Sequence, residues 1–146
     1  MKNRELAEHF LADAKALLSE ARVAQRRRRI HRSIRLGQEA VELASKACLR
    51  ALGIEYPKAH DVSDALEANR DKLPGWFRAA LPSLVRASAW LAAQRGPAMY
   101  GDEVGGVPAA ELFGVRDGVR AVHAAARAVV LADRLLREFF GKRTAP

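Results

Sequence analysis

Two pairs of side chains in this sequence have the types and spacing for phosphoryl chemistry. Arg116 and His123 stand seven residues apart in a run of helical composition. Positions i and i+7 share one face of a helix, so the two would stand about two turns apart. On such a face an imidazole can take or give a proton while a guanidinium holds the charge of a phosphodiester. Asp117 follows the arginine directly. The second pair, Arg95 and Tyr100, sits at the lip of a glycine-rich segment, where the two would contact a phosphate or a base. Each pair also has a purely structural reading. Arginine and histidine share helix faces by chance, and an arginine ending a helix suits the helix dipole.

A third group is defined by density. Arg22, Arg26, Arg27, Arg28, Arg29, Arg32 and Arg35 fall within one short stretch that contains no acid. The chain carries a formal net charge of +8 and a pI near 10.4, which favours anionic partners such as nucleic acid, nucleotides or an acidic protein surface. Arginine-rich composition alone puts many arginines on solvated faces, but the clustering here is local. A membrane surface is disfavoured, because no exposed apolar face adjoins the arginines.

Other chemistries find little footing. No Cys/His cluster has zinc-ligand spacing, and Gly101 to Gly106 lacks the Gly-Lys-Ser/Thr ending of a phosphate loop. No metal and no cofactor is implied. His9 and His31 read as surface residues, and His60 as a structural group bonded to neighbouring backbone. The single cysteine, Cys48, reads as a buried apolar residue, which suits a reducing cytoplasm. No apolar run is long enough to span a bilayer.

The elements that must position these groups are helices, since Ala, Leu and Arg are abundant and Thr, Ile and aromatic residues are scarce. Apolar periodicity predicts a first helix over 2–22, with Leu6, Phe10, Leu11, Leu17 and Leu18 on its buried face. A break within 23–28 leads to a second helix over 28–52, ended by Gly53 and Pro57. Gly37, Ala40, Ala44, Ala47, Cys48 and Ala51 form a small-residue stripe on it that lets another helix approach closely. A shorter helix follows over 60–73, capped by Asp61. Next come a helical segment over 75–95, kinked or restarted at Pro82, an irregular segment over 96–108, and a last helix from Ala109 to Phe140. Val119, Val122, Val129, Val130 and Leu136 are the expected apolar face of that last helix. The expected fold is all-α: an antiparallel up-and-down helical bundle with two to three long helices and short additional ones. It forms a single domain over 1–146, with a loose tail from 141 to 146.

The second helix and its exit carry a resemblance. Ala40-Val41-Glu42-Leu43-Ala44-Ser45-Lys46-Ala47, followed by Leu49-Arg50-Ala51-Leu52-Gly53-Ile54-Glu55-Tyr56-Pro57-Lys58-Ala59-His60-Asp61-Val62, is similar to the second helix and Pro-x-x-His-Asp turn of the HEPN domain family. It is strongest over residues 36–66 and extends in helix order over most of the chain. The resemblance implies a helical bundle that forms homodimers. It further implies a partner, a minimal nucleotidyltransferase, in a toxin–antitoxin-type pair. Active relatives are metal-independent ribonucleases that use an Arg, four to six residues, then His at the dimer cleft. Here the position of that motif holds Arg95 to Tyr100, with tyrosine where the family has histidine. A phenol with a pKa near 10 is a poor base at neutral pH. Arg116 to His123 fits the spacing but falls later than the family's motif. The expected function is therefore nucleotide or RNA binding through Arg26, Arg27, Arg28, Arg29, Arg32, Arg95 and Tyr100. The alternatives are a ribonuclease using Arg116 and His123, and a non-catalytic interaction scaffold.

Overall fold

The computed structural model describes residues 2–141. Among the described residues six α-helices follow one another: α1 (Lys2–Arg26), α2 (Ile30–Ala51), α3 (Ser63–Ala68), α4 (Gly75–Tyr100), α5 (Ala109–Leu112) and α6 (Val115–Phe140), with a 3₁₀ turn at Arg70–Lys72. The four long helices alternate up and down. Lys15 of α1 bonds Asp133 of α6, while Arg4 lies over the Phe140 ring, so α1 and α6 run antiparallel. The turn between α1 and α2, the end of α4 and the start of α6 therefore gather at one end of the bundle. The expected bundle is the observed one. No helix among the described residues is long and apolar enough to cross a membrane.

The small-residue stripe does what its spacing suggests. Gly37, Ala40, Ala44, Ala47 and Cys48 are all buried. A methyl group at Gly37 would stand 3.1 Å from the Ala121 carbonyl oxygen of α6, so the two backbones meet with room only for hydrogen. Nearer the start of both helices, the side chains of Ile30 and Ser33 fill the space beside Gly118. α2 and α6 are therefore parallel neighbours in the middle of the bundle. Burial also pushes the Cys48 thiol up to about 12, so it packs as an apolar group.

Helix ends follow local chemistry. Gly53, with φ +71, closes α2 in a left-handed turn in which the Ile54 amide donates to the Leu49 carbonyl at 2.9 Å. Between α1 and α2 the left-handed residue is Arg28, with φ +59, where glycine would be the unstrained choice. The break expected in 23–28 thus falls at its C-terminal edge.

Several expectations fail, beginning with Leu6, expected on the buried face of α1 and 38% exposed. The helix expected over 60–73 is a short α3 followed by the 3₁₀ turn; Asp61 meets a first-turn amide of α3 as expected, but from one residue before the N-cap position, Val62. The Asp61 carboxylate accepts from the Ser63 amide and hydroxyl and also from the Ser88 hydroxyl of α4, tying the exit of α2 to α4. Helix α4 runs on to Tyr100 through both Pro82 and Pro97. Pro82 is exposed, so the carbonyl it leaves without a helical partner lies on the solvent side. The irregular segment is accordingly confined to 101–108. The last helix is divided: α5 ends before Phe113, and α6 starts afresh at Gly114, whose amide donates to Asp117 Oδ2 at 2.9 Å. The α6 face departs in part from the expected one, too. Val129 and Leu136 are buried and Val122 half-buried as expected, but Ala121, Ala125, Ala128 and Ala132 fill the rest of the core side, while Val119 and Val130 are 48% and 65% exposed. Small residues win the core side because α2 lies so close. Of the expected tail, only Gly141 lies within the described residues.

Candidate functional site

The arginine-rich stretch forms the α1–α2 turn and its flanks. Six of its seven arginines are exposed, and Arg35 is half-buried. Among the described residues, none of the seven side chains has a hydrogen bond, ion pair or ring contact. They supply seven of the protein's eight net positive charges, so the rest of the chain is close to neutral. Arg27, Arg29 and Arg32 line one groove of about 480 Å³ together with Val23 and Leu36. Val23 is itself 39% exposed, so the arginines do have an adjoining exposed apolar residue, which corrects the expectation that they lack one. Arg26 and Arg28 are exposed but do not line this groove. Glu20 of α1 also lines the groove, so three guanidiniums and one carboxylate surround an apolar strip, and the net positive wall suits a phosphate bearing a planar or apolar group.

A second groove, of about 560 Å³, runs between α4 and α6. Arg116 and His123 both line it, as their spacing requires. Two further arginines of α6 escape a search by motif alone. Arg120 and Arg127 join Arg116 and His123 in a 4–3–4 spacing that makes one continuous stripe. Helix periodicity reveals this pattern once basic residues are counted as apolar ones are. Arg86 adds a fifth basic group from α4, and the floor is Leu84, Val115, Val119 and Leu131. Among the described residues, no carboxylate lines this groove. Arg120 stacks over the Trp90 ring at 3.9 Å, which fixes its guanidinium at the groove edge. His123 and Arg116 have no side-chain partner among the described residues, so nothing there orients the imidazole.

The pair Arg95 and Tyr100 is not brought together. Five residues apart on one unbroken helix, they project about 140° apart. Arg95 lies more than a turn before the end of α4, and its Nη1 donates to Gln38 Oε1 of α2 at 2.5 Å. Tyr100 is 66% exposed on another side. Arg95 belongs instead to a polar cluster against α2. Buried Gln38 donates from Nε2 to Glu42 Oε1 and to the His60 carbonyl, at 3.1 and 3.2 Å. His60 Nδ1 donates to Glu42 Oε1 at 3.0 Å, and Lys46 bonds Oε2 at 2.9 Å. Burial raises the Glu42 carboxyl pKa, but the bonds from Lys46, Gln38 and His60 outweigh it and hold the group below its ordinary value. His60 is therefore structural, with its ring bonded to a side chain rather than to backbone. Among the described residues, no group of three or more His, Cys, Asp or Glu is placed to hold a metal ion.

Comparison with known proteins places this geometry in a family. The fold is that of an archaeal HEPN homologue of known crystal structure, with a TM-score of 0.70 and 24% sequence identity over 89% of this chain and 97% of that one. No curated protein sequence matches the chain significantly. The HEPN domain family model matches residues 7–137, from the first turns of α1 almost to the end of α6. The chain belongs to the HEPN domain family.

Proposed function

We propose that this HEPN protein binds RNA or nucleotides through the arginine-rich end of its bundle, as a homodimer. The observation that carries this reading is the set of seven arginine side chains without a partner among the described residues, three of them lining one groove. Arg28 adds to it: the turn keeps an arginine in a left-handed conformation where a glycine would be free of strain. Phosphate binding of this kind weakens linearly, on logarithmic scales, with salt concentration. Binding of a short RNA should therefore fall steeply with salt. Replacing Arg27, Arg29 and Arg32 by alanine should lower the salt slope by about 1 for each phosphate that is no longer neutralised. Fluorescence anisotropy across a salt series reads both. Absence of affinity for RNA and nucleotides at low salt would sink the reading. A minimal nucleotidyltransferase partner, as in toxin–antitoxin pairs, would meet the same arginines with an acidic surface. Its co-purification with this chain tests that role.

A second reading is favoured by the α6 stripe. Arg116 and His123 on one groove wall suit metal-independent RNA cleavage: His123 takes the proton of the 2′-hydroxyl as its oxygen attacks phosphorus, the bond to the 5′-oxygen breaks and that oxygen leaves with a proton from water, and Arg116 holds the phosphate. Purified protein would then cut RNA in the presence of a chelator, and His123→Ala would reduce activity by about 10²-fold or more. Equal cutting by the variant removes His123 from the mechanism.

A further inference from the structure

Val104 is the most exposed large apolar residue of the described chain, at 102% of its reference area. It stands at the tip of a small turn that follows α4, at the arginine-rich end of the bundle. The turn is closed on both sides: the Asp102 amide donates to the Val107 carbonyl at 2.8 Å, and the Val107 amide to the Asp102 carbonyl at 3.0 Å. Asp102 Oδ1 accepts from the Gly105 amide at 2.9 Å. At the base, Gly101 has φ +74, and a Cβ there would collide with the Val107 carbonyl oxygen. The tip is therefore a braced projection, not a loose loop. Beside Val104 stands Glu103, exposed and without a side-chain partner among the described residues.

The α4–α6 groove has the opposite composition. Its floor is apolar, with Val115 and Val119 about half exposed, and its rim carries Arg86, Arg116, Arg120 and Arg127 with no acid. An apolar side chain flanked by a carboxylate is the complement of such a groove. The tip does not occupy the groove of its own chain, since Val104 is fully exposed and is not among the groove's lining residues. Two copies cannot simply lay groove on groove either, because that would set arginine against arginine.

We infer that two copies of the chain associate by reciprocal exchange of tips, Val104 of each entering the α4–α6 groove of the other while Glu103 meets the groove's arginines. A two-fold axis makes the two contacts identical and closes the assembly at two. This inference rests on the homodimer reading given above and adds the surface to it. Each groove then holds a residue of the second copy beside Arg116 and His123.

Two measurements test it on the full chain. Sedimentation equilibrium of wild type should give a dimer, and Val104→Asp should raise its dissociation constant by at least about tenfold. Val104 is fully exposed within the chain, so a polar residue there leaves the fold intact. The double variant V104C/V119C should form an intermolecular disulfide under mild oxidation, whereas V104C alone should not. A wild type that is monomeric at every concentration overturns both the homodimer reading and this one. If V104D dimerises as tightly as wild type, or the double variant fails to cross-link, the dimer stands but the tip exchange is overturned.

Discussion

At the scale of residues, a few positions hold a conformation or charge against their own preference. Arg28 is the clearest, since left-handed backbone costs a residue with a Cβ about 1–2 kcal/mol. Arg28→Gly should raise folding stability by up to about 1 kcal/mol after glycine's greater unfolded-state entropy is counted, and should weaken RNA binding. Chemical denaturation and anisotropy on the same variant check the two directions. Glu42 and Asp61 are held the other way. Burial raises the Asp61 pKa, but its bonds from Ser63 and Ser88 outweigh that and keep it below its ordinary value, as the Glu42 network does for Glu42. A carboxylate depressed in the folded state contributes stability above its unfolded pKa and loses it as pH falls through the folded value. The melting temperature should thus be level from neutrality to about pH 5 and decline below it. Glu42→Gln should flatten part of that decline in a pH series of thermal melts.

At the scale of helices, some signals are local and others depend on distant partners. The α2 stripe and its exit at Gly53 are legible because small residues at helical spacing and a terminal glycine are both local signals. The α1–α2 break holds no glycine or proline, so the sequence places only its neighbourhood. In α4, Gly96 and Pro97 read as terminators, yet packing of Ala98 into the core carries the helix one turn further. That extra turn rotates Tyr100 away from Arg95 and undoes the pair. Val129 and Leu136 of α6 are buried as the periodic reading has them, but Val119 and Val130 depart from it for the reverse reason. Valines outrank alanines in hydrophobicity, but the narrow gap at Gly37 selects alanine. Val119, turned out of the core, lines the α4–α6 groove with Arg120 and Arg127 instead. Arg95 reads as a ligand-binding residue and proves to be a donor to a buried network, a distinction that depends on Gln38, far away in sequence.

For the molecule as a whole, the charge is lopsided. Seven of eight net positive charges occupy one end, unrelieved by any acid within the stretch, so like charges repel there in the folded state. Added salt should screen that repulsion, and a polyanion should do so at far lower concentration. Thermal melts should therefore rise modestly with sodium chloride and clearly with micromolar RNA. A variant with Arg27, Arg29 and Arg32 replaced should melt higher than wild type in dilute buffer and respond less to either addition. The approach of Gly37 to Ala121 has a bearing on how this end comes into being. The α1–α2 hairpin is local and can close early, whereas its inner face waits for α6, about eighty residues later. During synthesis at about 5–20 residues per second, the arginine turn is displayed for several seconds on a hairpin whose inner face is still bare. The alanine and glycine stripe is what α6 must find to end that exposure. Changes along it should register chiefly in the time the nascent chain spends vulnerable to capture by polyanions or proteases.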